Sequence, residues 1–393
     1  MNPFPPEEYT ARLEGVQSAM AERGWAALVV AEPANLYYLT GYDAWSFYTP
    51  QCLLVPAAGI PHLFARAMDA GGAHHTACLD REHIHGYPEH YVQRPDVHPW
   101  EWIARSAVEL GLLPTSAASQ VGVELDGYYL SPRAYLSLQR GVGHARLVDC
   151  QELVNWVRVV KTPAEQEQLR EAGTVTDAVM RTALSGVAAG RRQCDVVAEI
   201  LAAQARGVDA IGGDYPAIVP MLPTGETVGT PHLTWSDAAL VRDEATTVEV
   251  AGVRHRYHVP LARTVMLGRP PRRLVDCAAA VAEGLDAALE SFRPGAAAHD
   301  VHAAFNAVIN RHGLTKESRV GYSIGIGYPP DWGEHTVSLR AGDKTELVPG
   351  MAFHLILGMW MDGWGYETSE SVLVVPTGVE PLTHVPQGLV VKE

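Results

Sequence analysis

Thr246-Thr247-Val248-Glu249-Val250-Ala251-Gly252-Val253-Arg254-His255-Arg256-Tyr257-His258-Val259-Pro260-Leu261-Ala262-Arg263-Thr264-Val265-Met266 is the stretch on which the fold turns. Residues 246–251 alternate polar and apolar, as a half-buried strand does. Gly252 is expected to begin a turn, and Tyr257–Met266 to form a second strand. Alternation places His258, Pro260, Ala262 and Thr264 on one face, and Tyr257, Val259, Leu261 and Arg263 on the other. Pro260 has no N–H for a ladder, so the second strand is expected at an edge or with a bulge there.

Helices are expected before this hairpin and after it. Thr162-Pro163-Ala164-Glu165 is a helix start: Thr162 can cap, Pro163 suits the first helical position, and Glu165 can close a capping box. That helix is expected to run towards Gly190, and a second to cover Asp195–Arg206 and stop at Gly207. Two more are expected near Arg272–Phe292 and Ala298–His312, with strands from Gly321 to the end.

Upstream, Tyr9, Leu13, Val16 and Met20 recur at helical spacing and Gly24 stops the helix. Ala27–Val30 reads as a short buried strand, with further short apolar runs at Gln51–Val55, Val121–Glu124 and Leu147–Val148 and a helix at Trp102–Leu110. A chain of 393 residues exceeds the usual single core. Two domains are expected: an α/β domain over 1–158 and an α+β domain over 159–393.

Composition bounds the partners. Net charge is −15, and the basic clusters are pairs, Arg191-Arg192 and Arg272-Arg273. Nucleic acid is therefore not an expected partner. The N-terminus lacks the basic-then-apolar pattern of a secretion signal, and no window has the length to span a bilayer. Five dispersed cysteines suit reduced thiols, so a cytoplasmic location is expected.

The hairpin also carries a resemblance. In the metallopeptidase fold shared by methionine aminopeptidase, prolidase and aminopeptidase P, a hairpin bears two Asp ligands eleven residues apart. The second lies three residues before an Arg-Thr pair. Arg263-Thr264 is similar to that pair, which puts Glu249 at the first Asp position and Pro260 at the second. The family's Gly-His step is Gly321-Tyr322 here. The Gly-Met-x-Phe motif, Gly350-Met351-Ala352-Phe353, leads to Ile356 where a Glu is expected. The last Glu falls near Ser369, flanked by Glu367 and Glu370. A hard divalent cation needs several oxygens or imidazoles, so neither a metal centre nor another cofactor is expected. The resemblance implies a creatinase N-terminal domain followed by a pita-bread domain, and a homodimer. His232, in Pro231-His232-Leu233-Thr234-Trp235, matches the family's active-site histidine.

Four further blocks resemble the bacterial ectoine hydrolase branch of this family: Gly41–Tyr48, Ala251–His258, Tyr328–His335 and Met359–Gly365. That likeness implies hydrolytic ring opening of a cyclic amidine, ectoine or hydroxyectoine, with a deacetylase as a possible partner. An amidinium carbon is polarised by its own charge; it needs a carboxylate, a nucleophile and a proton donor. Glu249 is expected to hold the cation and either to attack carbon or to activate water. His232 is the expected proton shuttle and His258 the reserve. Trp45, Tyr48, Trp332, Trp360 and Trp364 are candidates to box the cation, packing being the alternative. Tyr322 belongs to the same set of substrate contacts. Arg66 is the candidate for the substrate carboxylate, reaching from the first domain of one subunit into the other's site; the alternative is a surface arginine. Glu334 and His335 are placed at the pocket mouth or as structural caps. Glu367 shares the Ser369 face and is preferred to Glu370.

Three rival readings remain at this point. One is a metal-dependent Xaa-Pro dipeptidase and another a non-catalytic binding protein of the same fold. The third is a creatinase-like hydrolase of another small amidine. The last is disfavoured because creatinase has a Glu directly before its Arg-Thr pair, where this chain has Ala262.

Overall fold

The computed structural model describes residues 3–393, and the chain forms two compact units that part between Arg158 and Val159. The first unit holds a mixed sheet of six short strands: β1 (Ala27–Val30), β2 (Cys52–Pro56), β3 (His62–Arg66), β4 (Ile84–Tyr87), β5 (Gln120–Val123) and β6 (Arg146–Asp149). Their order is β4-β3-β2-β1-β5-β6. The core on this sheet gathers Val29, Phe64, Trp100, Val121 and Leu138. Helix Pro6–Glu22 ends as expected. Gly24 takes a φ of 66°, and the Trp25 amide turns back to the Met20 carbonyl at 3.1 Å. Strands β3 and β4 were not expected. His62, Arg66 and His85 break their apolar pattern.

The second unit contains four helices, Pro163–Gly186, Gln193–Arg206, Arg272–Ser291 and Ala298–Arg311. The capping box at the first forms: the Thr162 hydroxyl accepts from the Glu165 amide, and the Glu165 carboxylate accepts from the Thr162 amide at 2.9 Å. The strands are β7 (Ala245–Arg254), β8 (Tyr257–Leu267), β9 (Gly321–Tyr328), β10 (Asp331–Ser338), β11 (Ala352–Ile356), β12 (Met359–Met361), β13 (Trp364–Tyr366), β14 (Ser369–Val375), β15 (Gly378–Pro381) and β16 (Val390–Lys392). The main sheet runs β15-β14-β11-β9-β8-β16, with β7 on β8 and β10 on β9. The first helix pair packs with Val248, Val250, Leu261 and Val265. The second packs with Phe353, Leu355, Val372 and Val374. Because side chains alternate, Glu249 lies on the face of β7 away from the first helix pair.

The hairpin departs from expectation in two ways. Strand β7 continues past Gly252 to Arg254, and the turn is His255-Arg256, with φ of 46° and 67°. Gly252 has a different duty. A Cβ there would strike the backbone of Thr176, whose hydroxyl accepts from the Gly252 amide at 2.9 Å. The left-handed conformation of Arg256 is held by its own buried guanidinium, which donates to the carbonyls of Tyr215 and Gly327 and lies over the rings of Tyr215 and Tyr328.

Pro260 sits in no bulge: the pairing of β7 with β8 is unbroken from Ala245↔Met266 to Arg254↔Tyr257. Its side of β8 lacks a backbone ladder instead. Between the single β9 pair at Tyr257↔Ile326 and the β16 pairing from Val265, hydroxyls take over. Ser371 Oγ donates to the Pro260 carbonyl at 2.7 Å, and Ser369 Oγ accepts from the Ala262 amide at 2.6 Å. A residue without N–H fits where the sheet is splayed.

Candidate functional site

The splay between β8 and β14 is where the functional side chains converge. Arg263 and Thr264 build one wall. The buried Arg263 guanidinium pairs with Glu370 at 2.7 Å and donates to the carbonyls of Ala262, Ser369, Val385 and Pro386. Thr264 Oγ1 donates to the Glu367 carbonyl at 2.8 Å and accepts from the Glu367 amide at 2.9 Å. Glu370 is thereby spent on Arg263, and Glu367 is left for the site.

Glu249 and Glu367 are both buried and lie in each other's field. Burial raises the pKa of Glu249 first, and the negative charges of Glu367 and Asp331 raise it further. Burial also raises Glu367, against the pull of the Lys316 ammonium. Burial and mutual repulsion disfavour having both carboxyls ionised at once. Lys316, brought down to about 8 by burial, donates to the Gly358 carbonyl at 2.7 Å and stands 4.4 Å over the Trp360 ring. Trp360 is half-buried. Asp331 accepts from His335 at 2.8 Å; burial pushes its carboxyl up, but the hydrogen bonds from His335 and the Gly333 amide bring it below the usual range.

A hydrogen-bonded row crosses the same space. Trp332 Nε1 donates to Tyr322 Oη at 2.8 Å, Tyr322 Oη meets His354 Nδ1 at 3.0 Å, and His354 Nε2 meets Ser369 Oγ at 2.8 Å. Burial holds His354 to about 3, with the Arg319 charge acting in the same sense, so the ring is neutral. Burial and the neighbouring Glu249 raise Tyr322 well above its ordinary value.

Several expected site residues have other duties. His258 is fully buried. Its Nε2 accepts from the Ala217 amide at 2.9 Å and its Nδ1 donates to the Arg256 carbonyl at 2.8 Å. Burial and the Arg256 charge hold it to about 3, so it is a neutral histidine with both nitrogens engaged, not a reserve acid. Glu334 does not line a pocket mouth. It forms a buried ion pair with Lys161 at 2.6 Å, and a Cβ at Gly325 would collide with its carboxylate. Trp332 is fully buried and serves as a hydrogen-bond donor to Tyr322 rather than as an open wall. His232 is exposed, in a left-handed conformation at φ 67°. Its loop is tied in: the Leu222 amide donates to the Leu233 carbonyl, and the adjacent Met221 pairs with Glu249. In the first unit Trp45 and Tyr48 are 60% and 62% exposed. Arg66 makes a two-pronged contact with Glu89.

This architecture has known counterparts. Residues 167–376 match the model of metallopeptidase family M24, and residues 12–160 match the creatinase/prolidase N-terminal domain. The chain belongs to the M24 family. It is 44% identical over 398 residues to a protein named ectoine hydrolase from Halomonas elongata, covering 99% of this chain and 98% of that one. An uncharacterized hydrolase/peptidase of Sinorhizobium fredii is 41% identical over 391 residues, covering 99% of both. Among solved structures, dipeptidase PepE from Mycobacterium ulcerans superposes with a TM-score of 0.80 at 25% identity, covering 99% of each chain.

Against the M24 ligand pattern, the five positions carry Glu249, Pro260, Tyr322, Ile356 and Ser369. Pro260 and Ile356 offer no side-chain donor, and Tyr322 and Ser369 are engaged with His354. Among the described residues, no group of three or more His, Cys, Asp or Glu has the geometry to hold a metal ion. This donor set does not fit the family's two-metal cluster. His354 and Lys316 escaped the sequence reading. A histidine inside the apolar run Ala352–Ile356 was the one signal for His354; Lys316 lies in a connection with no pattern.

Proposed function

We propose that this M24 member opens the ring of ectoine without a metal, giving an N-acetyl-diaminobutyrate. The observation that supports this reading best is the burial of Glu249, at the position of the family's first Asp ligand, in the field of the equally buried Glu367. Carboxylate charge at this position suits a cationic amidine. Water adds at the amidine carbon, one ring C–N bond breaks, and the leaving nitrogen takes a proton. Glu249, as nucleophile or as base for water, begins the reaction, and His232 shuttles the proton. The identity to the Halomonas elongata protein supports the choice of substrate. Tyr322, Trp360 and Glu367 are assigned to the substrate. The roles of Trp45, Tyr48 and Arg66, a homodimer, a cytoplasmic location, hydroxyectoine as a second substrate and a deacetylase partner belong to the same proposal.

The test is incubation of purified protein with ectoine and excess EDTA, followed by proton NMR for the acetylated product. Product with EDTA supports both substrate and metal independence. Product only after Mn or Zn is restored overturns the metal-free part. No product in either condition overturns ectoine as substrate.

A further inference from the structure

The row Tyr322–His354–Ser369 contains more than a set of contacts. Tyr322 Oη already accepts from Trp332 Nε1, and Ser369 Oγ already accepts from the Ala262 amide. Trp332 and the amide are donors only. The neutral His354 ring carries one N–H, and each hydroxyl carries one hydrogen. Three hydrogens therefore serve two links, and one is left over.

Only two arrangements satisfy the row. In one, Tyr322 donates to Nδ1, Nε2–H donates to Ser369, and the Ser369 hydrogen is free for a ligand. In the other, Ser369 donates to Nε2, Nδ1–H donates to Tyr322, and the Tyr322 hydrogen is free. The tautomer of His354 decides which end offers a donor. The ends differ in surroundings: Tyr322 stands in the field of Glu249, whereas Ser369 is two residues from Glu367.

We propose that Tyr322, His354 and Ser369 form a proton relay that carries a proton from the Glu249 side of the site to a ligand nitrogen held at Ser369. The step balances. A protonated carboxyl on the Glu249 side gives its proton to Tyr322 Oη, and Tyr322 passes its own to His354 Nδ1. His354 Nε2 gives its proton to Ser369 Oγ, and Ser369 releases its own to the nitrogen. The carboxyl ends ionised, the nitrogen protonated, and the histidine neutral in its other tautomer. The row resets by the reverse hops once the product has left, solvent supplying a proton at Ser369 and taking up the one released at Tyr322. The direction of use in turnover rests on the proposed ring opening; the tautomer coupling does not.

Two measurements separate these. In protein labelled with 15N-histidine, the His354 ring is identified by its loss in His354→Gln, and its tautomer is read from the ring nitrogen shifts. A buried N–H without an acceptor costs more than a bare lone pair. Tyr322→Phe is therefore expected to fix the Nε2–H form, and Ser369→Ala the Nδ1–H form. The same tautomer in both variants, or a cationic ring at neutral pH, overturns the relay whatever the substrate. The second measurement is ectoine turnover by His354→Gln, which keeps a donor and an acceptor but has no tautomer to exchange. The expected loss in kcat is roughly a hundredfold with KM little changed, and a bowed proton inventory becomes linear. A purely structural role predicts no change in the inventory. Wild-type turnover matched by the variant, with the same inventory, overturns the relay, whereas an inert wild type overturns the substrate and leaves the tautomer measurement to decide.

Discussion

Thr264 grips the backbone of Glu367 from both sides, its hydroxyl donating to the carbonyl and accepting from the amide. The grip fixes a residue more than a hundred positions downstream, at the point where β13 gives way to β14. Thr247 Oγ1 in turn meets Thr264 Oγ1 at 3.2 Å, so the hairpin and the last strands share one hydroxyl chain.

Thr264→Val keeps the shape and removes both bonds. It leaves a buried amide unpaired, so a loss of roughly 1–3 kcal/mol is expected. Urea unfolding measures it. Turnover is expected to fall further than in Thr247→Val, which leaves the Glu367 clasp in place.

Glu249→Gln is expected to abolish turnover while the fold survives. Circular dichroism and a rate measured beside the wild type check this; an unchanged rate would remove Glu249 as nucleophile or base. His232→Ala is expected to lower turnover by about a hundred- to ten-thousandfold.

The same carboxyls set a pH dependence. Native Glu249 and Glu367 hold protons that the unfolded chain releases above its ordinary value of 4.5, so stability falls as pH rises from there through the raised native values. Glu249→Gln is expected to flatten the decline in Tm between about pH 5 and about pH 8. His258 and His354 act in the opposite sense. Their contribution is present above 6.5 and is lost as pH falls towards about 3.

Glu334→Ala leaves the Lys161 ammonium buried without its carboxylate. Breaking such a pair costs roughly 3–5 kcal/mol. KM is expected to stay near wild type in whatever fraction folds, because Glu334 belongs to the frame. A selective rise in KM without loss of stability would return it to the substrate.

What the sequence discloses depends on how far a residue's partners lie along the chain. The Thr162–Glu165 cap is local and forms as read; the 246–266 stretch does form two strands, but both are buried on each face rather than half-buried. The turn at His255-Arg256 is hidden because its strain is met by Tyr215 and Gly327, far away in sequence. Gly252 draws the eye as a turn residue, but its reason is a helix pressing on the strand. Glu249 is placed by the Arg263-Thr264 pair, and Glu367 by its parity with Ser369. His354 is not, since its meaning comes from Tyr322 and Ser369 on separate strands. His258 and Glu334 are polar residues in strands, and only three-dimensional contacts reveal that their hydrogen-bonding groups are engaged within the frame.

Pro260 also bears on whether a metal ligand could be placed on this strand. The M24 ligand pattern has an aspartate there, so Pro260→Asp looks like a one-residue change that adds a ligand. It would also return an N–H to a buried stretch of backbone whose neighbour is bridged by serine hydroxyls. A ligand would be gained and a donor would have to be housed in the same stroke. A metal ligand at this position is thus opposed by the main chain as well as by the neighbouring side chains, so no single substitution would supply it cleanly.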